Sequence, residues 1–167
     1  MVDVAPTLIH YYFGSKETLW RETVEHSLGQ LCKDAQSIQS VTKALAPLDR
    51  LRALLQAYTQ FAARFPDQFV MIMAESRSDS GRFSWVHQNY TTILLGIIIA
   101  NLREAQRAGT IKDIDAEQLS FMMVGSILLY FTANAPDAIG AELDQLADSY
   151  VDIMFDTFLK GILREGV

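Results

Sequence analysis

Apolar residues return every three or four positions along almost the whole chain, and no run of alternating residues bounded by turns interrupts them. A 3.6-residue period of that kind predicts an all-α protein. Leu19, Trp20, Val24, Leu28, Leu31 and Cys32 form one such stripe, which predicts a helix running to about residue 41 with Ser15 as its N-cap. Glu17 falls in its first turn, where a carboxylate suits the helix dipole. Pro47 opens a second helix with Leu48, Leu51, Leu54, Leu55, Tyr58, Phe61, Ala62 and Phe65 on its stripe, and Pro66-Asp67 starts a short helix through about residue 75. Residues 76–81, SRSDSG, have the composition of a loop. Beyond them Phe83, Val86, Tyr90, Ile93, Leu94, Ile97, Ile98, Leu102 and Ala105 line one long helix, which Gly109 closes.

The last two helices are different in kind. Asp115-Ala116-Glu117-Gln118 has the form of a capping box, and Ile114 ahead of it can staple against Leu119, so a helix is predicted from residue 116 to about 133. It is apolar nearly all round. The final helix, from about 141 to 163, keeps only a narrow polar stripe of Gln145, Asp148, Ser149, Asp152, Asp156 and Lys160. A helix that packs on one neighbour needs an apolar stripe about 100° wide, and both helices exceed it. The pattern therefore predicts a homodimer, with the last two helices of each chain forming a four-helix interface. Its expected contacts are Phe121, Gly125 and Leu128 from the first helix and Leu143, Ala147, Tyr150, Val151, Met154 and Phe158 from the second.

Composition narrows the class. Half of the 167 residues are hydrophobic and 20% are charged, enough to bury a core and too apolar for a disordered chain. A single cysteine, Cys32, excludes an internal disulfide, and no charged leader with a short apolar core precedes a cleavage site, so a cytoplasmic protein is expected. The longest apolar stretch, residues 119–133, is broken by Ser120, Gly125, Ser126 and Thr132 and falls short of the ~18 apolar residues of a membrane span. No membrane partner is expected. The net charge of −6 is uneven: residues 1–52 hold six basic and six acidic side chains, residues 113–167 two basic and ten acidic. A polyanion would avoid the C-terminal third.

Chemistry is sparse. His10, His26 and His87 are scattered, none follows a Glu by three residues, and Cys32 has no second thiol, so neither a metal nor another cofactor is expected. No glycine-rich nucleotide loop or Gly-x-Ser-x-Gly occurs, which argues against an enzyme. The middle helices are rich in Met and aromatic residues, as an adaptable apolar cavity requires. Tyr58, Phe61, Phe65, Phe69, Met73, Trp85, His87, Tyr90 and Met122 are the candidates for binding a small hydrophobic ligand, with Gln56, Glu75, Asn89 and Asn101 as further polar contacts.

The N-terminal stretch VAPTLIHYYFGSKE, residues 4–17, carries the most specific signal. Pro6 suits the first turn of a short helix that Gly14 stops; Thr7, His10 and Tyr11 then share one side, while Leu8, Tyr12 and Phe13 can pack inward. Lys16 opposes the dipole at the start of the next helix, yet a lysine at a helix N-terminus suits a phosphate. The stretch resembles the recognition helix and following turn of the tetracycline-repressor-like (TetR) family of transcriptional regulators, including a Leu three residues beyond the Lys, here Leu19. The resemblance implies a helix-turn-helix that enters the major groove, followed by a TetR-like helical bundle that binds an inducer and dimerises through its last two helices. It makes Thr7, His10 and Tyr11 base or phosphate contacts and Lys16 a phosphate contact, with operator DNA the partner of the complete protein. Ala5 stands where the family usually has a Ser or Thr cap, and the family's first two helices are not found before the motif. Residues 1–20 are thus expected to be a remnant of the helix-turn-helix, and residues 21–167 the ligand-binding and dimerisation domain. The expected function is a ligand-responsive regulator, a repressor; the alternative is a helical small-molecule-binding or partner-interaction protein without DNA binding.

Overall fold

A computed structural model describes residues 11–133 and 141–162, which are helical except for short connections. Residues 11–13 are helical, and Gly14 takes a left-handed φ of 68°, a conformation suited to glycine. Ser15 then caps α1 (Lys16–Val41): its hydroxyl accepts the Thr18 N–H at 3.0 Å. Pro47 and Pro66 occupy the first turns of α2 (Pro47–Arg64) and α3 (Pro66–Glu75), where their missing N–H groups cost nothing. After the loop come α4 (Arg82–Val86), a π-helical turn at His87–Thr91, and α5 (Thr92–Arg107), in one continuous rod. Asp115 accepts the N–H groups of Glu117 and Gln118 at 2.9 and 3.0 Å and so starts α6 (Ala116–Ala133); α7 is Ala141–Ile162.

The π-helical turn is the one departure from the helices expected. The hydroxyl and backbone N–H of Thr92 both reach the His87 carbonyl, so the turn holds one residue more than an α-turn. That extra residue offsets the apolar stripe. Tyr90 stays buried, but Ile93, expected on the buried side, is 38% exposed.

α2 is the central element and packs on α1, α5, α6 and α7. Leu51, Leu55 and Ala62 have no accessible surface. Each fully buried leucine contributes about 1.5–3 kcal/mol relative to an exposed one. Against α2 lies α7, held by a ladder of polar contacts. Arg64 pairs with Asp144 at 2.7 Å, Gln60 lies 3.4 Å from Asp148, and Arg52 pairs with Asp152. The polar stripe of α7 thus faces a neighbouring helix, and the apolar residues beside it turn into the chain's own core. Leu143, Ala147, Val151 and Met154, expected at a dimer contact, are all buried there. Tyr150 and Phe158 are only half-buried.

α6 buries Leu119, Met123, Ile127 and Phe131 and exposes Phe121, Met122 and Leu129. Contrary to the reading of residues 119–133, it is long and apolar enough, over 18 residues, to cross a membrane on length and composition. A core helix of a soluble bundle passes the same test, and one side of α6 is such a core helix.

Candidate functional site

Between α3, the π-helical turn, α5 and α6 lies a cavity of about 330 Å³, floored by Leu28 of α1 and Tyr58 of α2. Phe69, Ile72 and Met73 of α3 form one wall, and Phe83 and Val86 of α4 continue it. His87 and Thr91 come from the π-helical turn, Leu94, Leu95 and Ile98 from α5. Phe121, Val124, Gly125 and Leu128 of α6 close the far side. Met73, His87, Phe121 and Gly125 are exposed and mark the mouth; Tyr58, Phe69 and Ile98 lie deep. No Asp, Glu, Lys or Arg lines this cavity.

Four of the nine expected ligand-binding residues line it: Tyr58, Phe69, Met73 and His87. The other five do not. Phe61 stacks on Phe65 and Phe69, with centroids 5.1 and 5.8 Å away, and with Phe65 borders a separate polar hollow of about 300 Å³ that also includes His26, Arg64 and Gln68. Trp85 sits between Trp20 and Tyr90, 6.0 and 5.5 Å from their rings. Met122 points out to solvent on the next face of α6. Conversely, Phe121, Gly125 and Leu128, expected at a dimer contact, line the cavity. A helix apolar all round hides which face is which. Gly125 held a usable signal, because a mid-helix glycine costs about 1 kcal/mol and marks a place where a side chain is missing for a reason. A Cβ added there meets nothing within 4 Å, so the mouth has open space beside this position.

Most of the expected polar contacts are engaged elsewhere. Asn101 is fully buried beside Arg50, Asn89 donates to the Trp85 carbonyl at 2.8 Å, and Glu75 binds Arg82. Gln56 does not line the cavity. Tyr58 is the exception: it is buried, and among the described residues its hydroxyl has no hydrogen-bond partner. The oxygen itself keeps some accessible surface, so solvent can reach it. Burial pushes its pKa well up, so it stays a protonated donor. Burial likewise raises the Cys32 thiol to about 11, leaving it unreactive beside the Tyr90 carbonyl.

The walls of the cavity connect to the start of α1. Arg82, at the first position of α4, donates to Glu75 at the end of α3 and to Glu17 in the first turn of α1, both at 2.8 Å. Its guanidinium lies 5.0 Å from the ring centroid of Trp20, and Arg21, bonded to Glu17 at 2.7 Å, lies the same distance from Trp85. Arg21 and Arg82 hold the Glu17 carboxyl below its usual value, and Ser80 with Arg82 does the same for Glu75. Lys16 is exposed next to this cluster, one residue after the Ser15 cap. Tyr11 is 83% exposed. Tyr12, expected to pack inward, is 71% exposed and meets only the edge of Tyr11 among the aromatic rings described. Thr7 and His10 lie outside the described residues.

No family model matches the chain. It is 24% identical over 164 residues to the HTH-type transcriptional repressor NicS of Pseudomonas putida, covering 96% of this chain and 76% of that one. It is 30% identical over 152 residues to the HTH-type transcriptional regulator BetI of Rhizobium meliloti, covering 89% of this chain and 72% of BetI. Both alignments run through the helices that build the cavity and the Arg82 cluster. The chain belongs to the TetR family. Its fold agrees: the ketosteroid transcriptional regulator KstR2 of Mycobacterium tuberculosis superposes with a TM-score of 0.77 over 97% of this chain and 80% of that one, at 19% identity. This family member is a transcriptional regulator and not an enzyme, and nothing found supports the alternative of a helical binding protein without DNA binding.

Proposed function

We propose that this TetR-family regulator is a cytoplasmic repressor that binds operator DNA as a homodimer and lets go when a small apolar effector enters the cavity. The observation that carries the reading is the continuity from cavity wall to DNA-facing edge. Ile72 and Met73 of α3 lie within one turn of Glu75, and Phe83 of α4 follows Arg82 directly. A ligand that pushes α3 and α4 apart therefore moves both ends of the ion pair that Arg82 shares with Glu17. The first turn of α1 follows, and with it Lys16 and Tyr11. Such a ligand selects between two arrangements by its differential affinity for them.

Residues 1–20 are the DNA-contacting part in this reading, with Thr7, His10 and Tyr11 at bases or phosphates and Lys16 at a phosphate; residues 21–167 bind effector and partner. The dimer face is the apolar surface that α6 and α7 leave uncovered: Met122 and Leu129 of α6 with Ile153 of α7, 56, 69 and 64% exposed, flanked by half-buried Leu146, Tyr150 and Phe158. Ile153→Arg should convert a dimer to a folded monomer in sedimentation, whereas Val151→Asp should unfold the chain because Val151 is interior. A wild-type monomer at micromolar concentration would remove the dimer from the reading.

The functional test is selection of duplexes from a random pool by the full-length protein. Enrichment of a palindrome with half-sites about one helical turn apart is expected, with binding that weakens steeply with salt. Lys16→Ala should weaken binding to all duplexes and lower the salt slope by about one, while Thr7→Ala or His10→Ala changes the preferred sequence. Absence of any enriched sequence overturns the proposal.

A further inference from the structure

The lining of the cavity specifies what kind of molecule it takes. We infer that the effector is electrically neutral and almost wholly hydrocarbon, with a single hydrogen-bond acceptor, such as a carbonyl or ether oxygen, placed at its inner end against the hydroxyl of Tyr58. This rests on the reading of the cavity as the effector site and adds the ligand's chemistry to it.

Three observations carry the inference. First, no Asp, Glu, Lys or Arg lines the cavity, so an ionised group carried inside would lose its hydration with no opposite charge to replace it. Arg82, Glu75 and Glu17, next to the cavity walls, are paired with one another outside the lining. Second, the polar groups are few and unequally placed. His87 is exposed at the mouth and Thr91 is half-buried; Tyr58 is more than nine-tenths buried at the floor. Third, the Tyr58 hydroxyl has no partner among the described residues although its ring is fixed edge-on against Phe69, centroids 6.0 Å apart. The oxygen keeps some accessible surface, so a rigid donor at the floor of an apolar cavity, bonded to no described residue, is open to an acceptor that enters and replaces water there. The volume, about 330 Å³, equals that of roughly a dozen water-sized groups, which suits one or two rings rather than an extended polymer.

The polar hollow beside Arg64 and His26 does not compete for the same ligand. Beside apolar Leu31, Ala57, Phe61 and Phe65 it places Gln30, Asp34, Gln60 and Gln68, so a carboxylate and several amides line it, and Arg64 there is already paired with Asp144.

The test uses three molecules of nearly one shape: 4-phenylcyclohexanone, phenylcyclohexane and 4-phenylcyclohexanecarboxylate, titrated calorimetrically into the wild-type protein and Tyr58→Phe. The ketone is expected to bind the wild type, to lose roughly tenfold in affinity in Tyr58→Phe, and to be unaffected by His87→Ala. The hydrocarbon is expected to bind wild type and Tyr58→Phe alike, and the carboxylate to bind at least about a hundredfold more weakly than the ketone. Unliganded Tyr58→Phe is expected to melt no lower than the wild type, because the hydroxyl it lacks had no partner; a clear drop would reveal a partner inside the protein and overturn the inference. A carboxylate that binds as well as the ketone, or a ketone indifferent to Tyr58→Phe, overturns it too while leaving the cavity as the effector site. If none of the three binds, the effector-cavity reading falls and the inference falls with it.

Discussion

The two ends of α1 are each held by one arginine, and the two arginines are held in opposite ways. At the C-terminal end Arg50 is 4% exposed and every arm of its guanidinium is used. Nε donates to Asn101 at 2.9 Å, Nη1 to the Lys43 and Leu45 carbonyls at 2.9 and 3.1 Å, and Nη2 to Glu104. Asn101, itself fully buried, passes the connection on to Gln39 of α1 and the Ile97 carbonyl of α5, both at 2.9 Å. At the N-terminal end Arg82 is partly exposed, its partners Glu17 and Glu75 are on separate helices, and Trp20 beneath it keeps a buried indole N–H with no partner among the described residues. Buried, fully satisfied networks rigidify, and exposed ion pairs rearrange at little cost. Under the proposed function the contrast makes α1 a lever, with its pivot near Arg50 and its Lys16 end pulled by the helices that line the cavity.

Breaking the fixed end should have the largest effect. Arg50→Ala leaves Asn101, Glu104 and two carbonyls without their donor and is expected to cost about 3–5 kcal/mol, seen as a lowered urea midpoint. Arg50→Lys should recover little of it, since an ammonium cannot reproduce a planar fork. A near-normal midpoint in either variant would remove the pivot. Arg82→Ala, by contrast, should leave the midpoint close to wild type while accelerating hydrogen exchange of amides 16–20 and not of 36–41. Equal acceleration at both ends would erase the difference between them.

Acid offers a gentler cut at the same place. Glu17 and Glu75 titrate below the usual glutamate value of 4.5 in the folded protein, so the stability they contribute is present above that value and is lost as pH falls through their lowered ones. Trp20 and Trp85, lying under Arg82 and Arg21, should report it as an emission change below about pH 4.5 that precedes global unfolding. An emission that follows the far-UV signal without an earlier step would argue against local release. The smallest effect is expected from Arg52, an exposed arginine paired with Asp152 on the α2–α7 ladder: Arg52→Ala should cost under about 1 kcal/mol, which separates what a buried arginine does from what any ion pair does.

The helices themselves were legible because their causes are local. A 3.6-residue stripe, a serine before it, a proline in its first turn and an acid at its N-terminus all act within a few residues, so Ser15, Pro47, Pro66 and Asp115 mark the starts the structure shows. The family was legible for the same reason, since the motif that carries the resemblance is contiguous. What only the tertiary structure decided is how apolar faces are shared out. Leu143, Ala147, Val151 and Met154 face inward because Asp144, Asp148 and Asp152 meet Arg64, Gln60 and Arg52 on α2, some 80 to 100 residues earlier in the chain. Phe121, Gly125 and Leu128 face the cavity, whose opposite walls come from α3, the π-helical turn and α5, an arrangement that no periodicity records. The partnership of Glu17 with Arg82, 65 residues apart, is equally invisible to a local pattern. Period tells a helix that it has a face to bury; only the packed neighbours, brought together across long separations, determine what that face meets.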